Sequence, residues 1–270
     1  MVYLSLNSTE ISSNYEGLIV GNQSWVIDLD GVLWLLDDPI AGSVDAIAAL
    51  LAAGIEVTFA TNNSLLTKKQ YDAKLDRIGV DSSRVNLISS SMAAASLVKP
   101  GETAYVIGGE GLTEALSDAG IEMLESSKVD VVVVGWDREI NYSKLARATR
   151  ALRSGARFIA TNSDPIYPTP QGPLPGAGSI VAAVATAGGF PPVFAGKPEV
   201  AMANLLRKTI GQPSLMVGDR LDTDGKFAQV LECPFALVMS GVTADQPTPQ
   251  DKVEYLEQDL ATLVKRLVVS

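Results

Sequence analysis

The sequence predicts an α/β protein: a doubly wound, mainly parallel sheet with a second α/β unit inserted into it. Three observations carry this reading. Short apolar runs of strand length alternate with segments of helical apolar spacing along most of the 270 residues. Several runs stop abruptly at small polar or acidic residues, as strands do at the carboxyl edge of an open parallel sheet, where ligands bind. The alternation also restarts near residue 99 and returns to its first pattern near 189. The chain therefore divides into a core from 1–98 and 189–270 and an insertion from 99–188.

The strand around which the rest is organised is entered at Trp25 and ends in Val26-Ile27-Asp28-Leu29-Asp30-Gly31. Alternate strand residues share a face, so Asp28 and Asp30 stand side by side at its end. Carboxylates that close repel each other unless a cation neutralises them or one holds a proton. By itself the motif fits a catalytic centre and a solvated strand end equally well. Residues 1–24 are polar and weakly patterned, expected as an extension or a short packed helix without chemistry. Residues 32–40 are mostly apolar around the turn Asp37-Asp38-Pro39 and suit a small hairpin or flap above the strand end.

Ala46, Ile47, Leu50 and Leu51 recur at helical spacing before Gly54, and a strand follows over 55–60. It ends in Thr61-Asn62-Asn63-Ser64, whose hydroxyl, amide and backbone N–H groups could hold a phosphate or merely cap the helix expected over 67–78. A strand (85–89) and a helix (91–98) complete the first part, and Lys99-Pro100-Gly101 reads as a hinge.

The insertion repeats the pattern: strand 104–107, helix 111–119, strand 129–134, helix 143–154, strand 157–160. Gly108-Gly109-Glu110-Gly111 has the glycines of a dinucleotide loop but neither its full spacing nor its acidic residue, so a nucleotide role is not expected. Residues 161–179 read as a loop with five prolines. A loop of that length within a compact unit is often a binding segment, and Asn162, Ser163 and Asp164 are its polar candidates. Beyond it, Gly196-Lys197-Pro198 precedes a helix over 199–209, and Lys197 is the only basic residue between Arg157 and Arg207. A strand over 215–217 ends in Gly218-Asp219-Arg220-Leu221-Asp222-Thr223-Asp224, and another covers 235–239. Val253, Leu256, Leu260, Leu263, Val264 and Leu267 form one stripe of a final amphipathic helix.

Composition excludes whole classes of chemistry. The sequence has no histidine, which removes Ser-His-Asp triads, Cys-His pairs, HExxH zinc sites and phosphohistidine enzymes. A net charge of −10 argues against nucleic-acid and anionic-membrane partners. The single cysteine, Cys233, can form no intrachain disulfide and reads as a small buried hydrophobe, as expected in a reducing compartment. No lysine or arginine precedes Lys68, and no apolar stretch approaches the ~18 residues of a membrane span. A cytoplasmic protein is the expectation.

Four polar clusters thus end, or flank, strands of one inferred sheet: Asp28/Asp30, Thr61 to Asn63, Lys197, and Asp219/Asp224. In order and wording they resemble the four motifs of the haloacid dehalogenase superfamily, and most closely its 4-nitrophenylphosphatase-like (NagD-type) branch. The resemblance covers nearly all of the chain after residue 22. It implies a Rossmann-like core and a large α/β cap formed by the insertion. One departure is Gly225-Lys226, where many relatives have an apolar residue after Asp224.

The resemblance also implies roles that suit the residue types. Asp28 is the nucleophile that takes a phosphoryl group, and Asp30 serves first as acid, then as base. Mg²⁺ is held by the Asp28 and Asp219 carboxylates and the Asp30 carbonyl. Gly31, Thr61, Asn62, Asn63 and Lys197 bind the phosphoryl oxygens, Asp224 orients Lys197, and Asn162 and Asp164 of the cap read the leaving group. The expected activity is hydrolysis of a small-metabolite phosphate monoester such as glycerol phosphate, phosphoglycolate or 4-nitrophenyl phosphate. A phosphotransferase or phosphomutase and a non-catalytic ligand-binding protein are the alternatives. Family members often pair through the cap, which makes a homodimer an expectation.

Overall fold

The computed structural model describes residues 23–169, 172–241 and 247–269, so the expected N-terminal extension lies almost wholly outside the described residues. Six parallel strands form the first sheet, in the order Tyr255–Glu257, Phe235–Val238, Leu215–Gly218, Ser24–Ile27, Glu56–Thr61, Asn86–Ser89. Ser24–Ile27 lies inside this sheet, with Ile27 level with Val217 on one side and Phe59 on the other. From it the chain builds outward in one direction to Asn86–Ser89, then returns on the opposite side at Leu215–Gly218. That reversal opens a crevice between the carboxyl ends of the two middle strands.

Both faces of the sheet are covered, as the largely apolar character of its middle strands, Ser24–Ile27, Leu215–Gly218 and Phe235–Val238, requires. Trp25 and Ile27 point into one cluster with the helices Ser43–Ala52, Lys68–Ile78 and Leu260–Leu267. Val26 and Met216 point into the other, with Ser90–Ala95, Val200–Ile210 and Lys226–Leu231. Helix signals act locally: Thr67 accepts from the Gln70 N–H and Gln70 reciprocates, and Gly79, at φ 98°, ends the same helix.

The second sheet has five parallel strands in the order Val193–Phe194, Arg157–Ala160, Val131–Val134, Thr103–Ile107, Glu122–Met123. Its strand Val193–Phe194 lies past residue 188, where the sequence reading returns the chain to the first unit; it pairs with Ile159 and Ala160. Val131, Val133 and Ile159 face the second cluster of the first sheet. Val132, Val134 and Phe158 face a separate cluster under the helices Tyr142–Arg153 and Ala177–Gly188.

Two expectations are corrected. The helix Ala177–Gly188 begins inside the segment read as a loop; its alanines and glycines blur the polar face that would have marked it, while Ile180, Val181 and Val184 bury the other. The final helix is shorter than its apolar stripe. Tyr255–Glu257 is the sheet's edge strand, Leu256 is exposed, and the Asp259 side chain caps a helix that starts only at Leu260. Among the described residues no helix is long and apolar enough to cross a membrane.

Candidate active site

The crevice at the strand reversal is where the predicted residues meet. The Asp28 N–H is the last rung of the ladder to Val217, donating to its carbonyl at 2.9 Å, so the side chain emerges at the sheet edge. Its Oδ1 accepts from the Leu29 N–H (2.8 Å) and pairs with the Lys197 ammonium at 2.8 Å. Lys197 also reaches Asp224 Oδ1 at 2.7 Å, and Asp224 Oδ2 accepts from the Arg220 N–H. Lys197, Asp28 and Asp224 are all buried, so the ammonium is a fixed bridge between two carboxylates. Burial alone would favour neutral Lys197; the charges of Asp224 and Asp28 outweigh it and push its pKa up. Burial pushes Asp28 up, against the opposing pull of Lys197.

Asp219, the first residue beyond Leu215–Gly218, stands across the crevice from Asp28. Carboxylate oxygens of Asp28, Asp219 and Asp224 come within 4.8 Å of one another. The Asp219 carboxylate lies in a cradle that only glycines could make: a Cβ on Gly31 would sit 2.5 Å from its Oδ2, and one on Gly241 1.9 Å. Gly31 also has φ +89°, a conformation that side chains disfavour. Ser240 donates from its hydroxyl to the Gly31 carbonyl at 2.8 Å and ties the two glycine loops together. An all-oxygen set of this kind suits a hard cation such as Mg²⁺ or Ca²⁺. Asp224 has both oxygens engaged, Oδ1 by Lys197 and Oδ2 by the Arg220 N–H, whereas Asp28 meets Lys197 and the Leu29 N–H through Oδ1 alone, so Asp28 Oδ2 and the Asp219 carboxylate are better placed to face an ion.

Asp30 is half-buried and accepts from the Trp34 indole N–H at 3.1 Å. Burial raises its pKa, while the Lys74 charge and the Trp34 bond partly offset that. Trp34 belongs to the expected flap, in which Trp34–Leu35 pairs antiparallel with Asp38–Pro39.

The Thr61 to Asn63 cluster lines the cleft. Thr61 Oγ1 accepts from the Asn63 N–H, and Asn63 Oδ1 accepts from the Leu65 N–H, so part of its polarity shapes its own turn. The Asn62 amide turns toward the inserted unit, donating to Asp164 Oδ2 and to the Lys197 carbonyl, both at 3.0 Å. Gly196 permits this, because a Cβ there would lie 2.5 Å from Asn62 Oδ1.

Asn162 and Asp164 line the cleft and also fasten the inserted unit to it. Asn162 donates to the Asn62 carbonyl (2.7 Å) and accepts from the Asp164 N–H. Asp164 joins Asn62 to Arg220, whose guanidinium it meets at 3.0 Å. Arg220 lay within the quoted motif, yet nothing local predicts a partner 56 residues away. The glycine-rich turn at 108–111 has a comparable structural use: a Cβ on Gly111 would lie 2.1 Å from the Leu66 carbonyl oxygen. There it seats the helix Glu110–Asp118 against the first sheet's loop.

The cleft encloses about 310 Å³. The buried Asp28, Thr61, Asp219 and Trp136 line its inner part; the exposed or half-buried Leu35, Leu36, Ile166, Tyr167 and Pro168 line its mouth. The Trp136 and Tyr167 rings meet at 4.5 Å between centroids. Burial pushes the Tyr167 hydroxyl up to about 12, with the Asp30 charge adding to it. Trp34, Trp136, Tyr167, Ser240 and Gly241 were not singled out from the sequence. The usable signal was their position: Ser240 and Gly241 follow an apolar strand of the same sheet, as the four recognised clusters do.

A buried lysine–carboxylate bridge beside paired aspartates at the strand reversal of an α/β fold suits an enzyme that handles phosphoryl groups, and the comparisons give the class. A family model described as haloacid dehalogenase-like hydrolase matches residues 25–122, and a second model of HAD-like hydrolases matches 194–263. An acid sugar phosphatase of Staphylococcus saprophyticus is 34% identical over 253 residues, covering 91% of this chain and 98% of its own. Among solved structures, a 4-nitrophenylphosphatase from Thermotoga maritima aligns with TM-score 0.80 at 31% identity, over 90% of this chain and 97% of its own. A glycerol phosphate phosphatase from Mycobacterium tuberculosis, in complex with magnesium, aligns with TM-score 0.81 at 32% identity, over 92% and 80%. The chain belongs to the haloacid dehalogenase-like hydrolases. It is an enzyme of their phosphatase class, and its fold is that of the 4-nitrophenylphosphatase-type members.

Proposed function

We propose that the protein hydrolyses small phosphate monoesters through an aspartyl-phosphate on Asp28. The observation that supports this most directly is the shared cleft of Asp28, Asp30 and Asp219 with Lys197 beneath it. The Asp28 carboxylate attacks phosphorus, and the P–O bond to the leaving group breaks with its electron pair staying on that oxygen. Asp30 delivers its proton to the same oxygen, releasing an alcohol. The Asp30 carboxylate then takes a proton from water as the water oxygen attacks the aspartyl-phosphate, freeing Asp28 and inorganic phosphate.

Thr61, the Asn62–Asn63 turn, Gly31 and Lys197 bind the phosphoryl oxygens. Asp224 holds Lys197 in place. Mg²⁺ suits the donor set, held by the Asp28 and Asp219 carboxylates and the Asp30 carbonyl; when bound it offsets negative charge between nucleophile and phosphoryl group. The five-stranded sheet and its helices, about 99–194, act as the cap, and its cleft-lining residues Ile166, Tyr167 and Trp136 meet the leaving group.

The names of the relatives make sugar phosphates, glycerol phosphate and aryl phosphates the first esters to test. The test is phosphate release across such a panel, with Asp28→Asn as control. The variant should keep native circular dichroism and lose essentially all turnover, because an amide cannot attack phosphorus. Substantial residual release would remove Asp28 as the nucleophile. A phosphorylated acceptor without free phosphate would instead identify a transferase.

A further inference from the structure

We infer that Trp34 is a positioning residue for the proton-transfer step: its indole N–H fixes which oxygen of Asp30 carries the proton. This rests on the acid role proposed above for Asp30.

An indole nitrogen can only donate, and a buried one usually finds an acceptor. Trp34 is 1% exposed, deep in the packed core of the first sheet. Its acceptor is not a backbone carbonyl, as a mere packing role would allow, but Asp30 Oδ1, at 3.1 Å. The two side chains also share a closed backbone frame. The Gly31 N–H donates to the Trp34 carbonyl (2.8 Å), while the Leu33 and Trp34 N–H groups donate to the Leu29 carbonyl. Asp30 and the indole therefore cannot drift apart without opening this loop.

The flap is clamped from outside as well. The Lys74 ammonium lies 4.1 Å from the centre of the Trp34 ring and donates to the Leu36 carbonyl, bracing the first strand and the turn of the hairpin from the helix Lys68–Ile78. Cation–π contact holds the ring without competing for its N–H.

The chemical consequence follows from donor count. Oδ1 accepts from the indole, so in the acid form the proton resides on Oδ2. From there it passes to the ester oxygen as the P–O bond breaks, and Oδ2 later takes the proton from water. Without the N–H, the carboxyl can turn and place its proton on either oxygen, so fewer encounters have a donor facing the leaving group.

Leaving-group dependence separates this from packing. A 4-nitrophenolate departs without needing a proton; a benzyl alkoxide does not. The experiment compares kcat/KM on 4-nitrophenyl phosphate and benzyl phosphate for the native enzyme, Asp30→Asn, Trp34→Phe, and a protein with 3-benzothienylalanine incorporated at position 34. The last keeps the fused bicycle and puts sulfur, which cannot donate, in place of the N–H. Asp30→Asn should lose far more on the benzyl ester, by ~100-fold or more, as expected when a general acid is removed. Both position-34 proteins should show the same skew more weakly, losing about tenfold on the benzyl ester and under roughly threefold on the nitrophenyl ester, mainly in kcat. Equal losses on both esters at position 34, with Asp30→Asn still skewed, would overturn the inference and leave Trp34 a packing residue. Absence of skew in Asp30→Asn itself would sink the acid role, and this inference with it.

Discussion

Replacing Lys197 by methionine tests the electrostatic heart of the site. The ammonium lies 2.8 Å from Asp28 and 2.7 Å from Asp224, and all three groups are buried. Methionine fills much of the volume but strands two carboxylates. Breaking a buried ion pair by removing one partner costs about 3–5 kcal/mol. In a protein of this size that lowers the melting temperature by roughly 6–20 °C. The cost should also depend on pH in a defined sense. Without the lysine, both carboxyls titrate in the folded state above their unfolded value of 3.8. Groups shifted upward stabilise the fold only while protonated, so stability is lost as pH rises through their folded pKa. The deficit should therefore be larger near about pH 8 than near about pH 5. Adding Asp224→Asn should return about 1–2 kcal/mol by removing one stranded charge. The assay is thermal and urea unfolding in metal-free buffer. A Lys197→Met protein that melts within about 2 °C of native, or whose deficit is the same at both pH values, would refute the buried bridge.

Chelation and reconstitution should switch phosphate release off and on reversibly; full activity after exhaustive metal removal would contradict the cation site. Gly241→Ala pushes a methyl group into the Asp219 carboxylate and should raise the Mg²⁺ needed for half-maximal release on the order of 10–100-fold, as read by metal titration. Asp164→Ala removes the acceptor shared by Asn62 and Arg220, bonds to a charged group worth about 1.5–3 kcal/mol each. Its KM should rise roughly tenfold or more with a smaller change in kcat, and unchanged steady-state kinetics would show that the fastener is idle. Burial pushes the Cys233 thiol up to about 12, so iodoacetamide should leave activity intact and label the thiol quickly only in urea. Rapid labelling of the native enzyme would contradict that.

What could be read from the sequence was whatever is written locally. Asp28, Asp30 and Asp219 each interrupt an apolar run at a strand end, and period-two geometry makes such an interruption legible in a single chain. Lys197, the only base between Arg157 and Arg207, reads locally as a surface lysine, and only the resemblance of Gly196-Lys197-Pro198 to a family motif marked it for the site. The unread parts depend on distance. Asn62 and Asp164 are 102 residues apart, and no local pattern announces that an amide on one sheet will meet a carboxylate beside the other. Gly241 has no local sequence mark, because only the folded chain sets the Asp219 carboxylate against it. The helix Ala177–Gly188 went unseen because small residues make its faces nearly alike, and Leu256 misled because an exposed edge strand can carry a leucine at helical spacing from its neighbours.

The Asn162–Asp164 fastener bears on how this enzyme could acquire new preferences. Its two side chains are spent on Asn62 and Arg220, one residue from Thr61 and one from Asp219. On the mechanism proposed above, a change there should disturb the reaction centre along with any effect on selectivity. The stretch that follows, from Ile166 to Pro175, is exposed or half-exposed where described and pairs mainly with itself as a short hairpin. Laboratory evolution toward a different alcohol should therefore collect its productive changes in those ten positions and leave the anchor before them untouched.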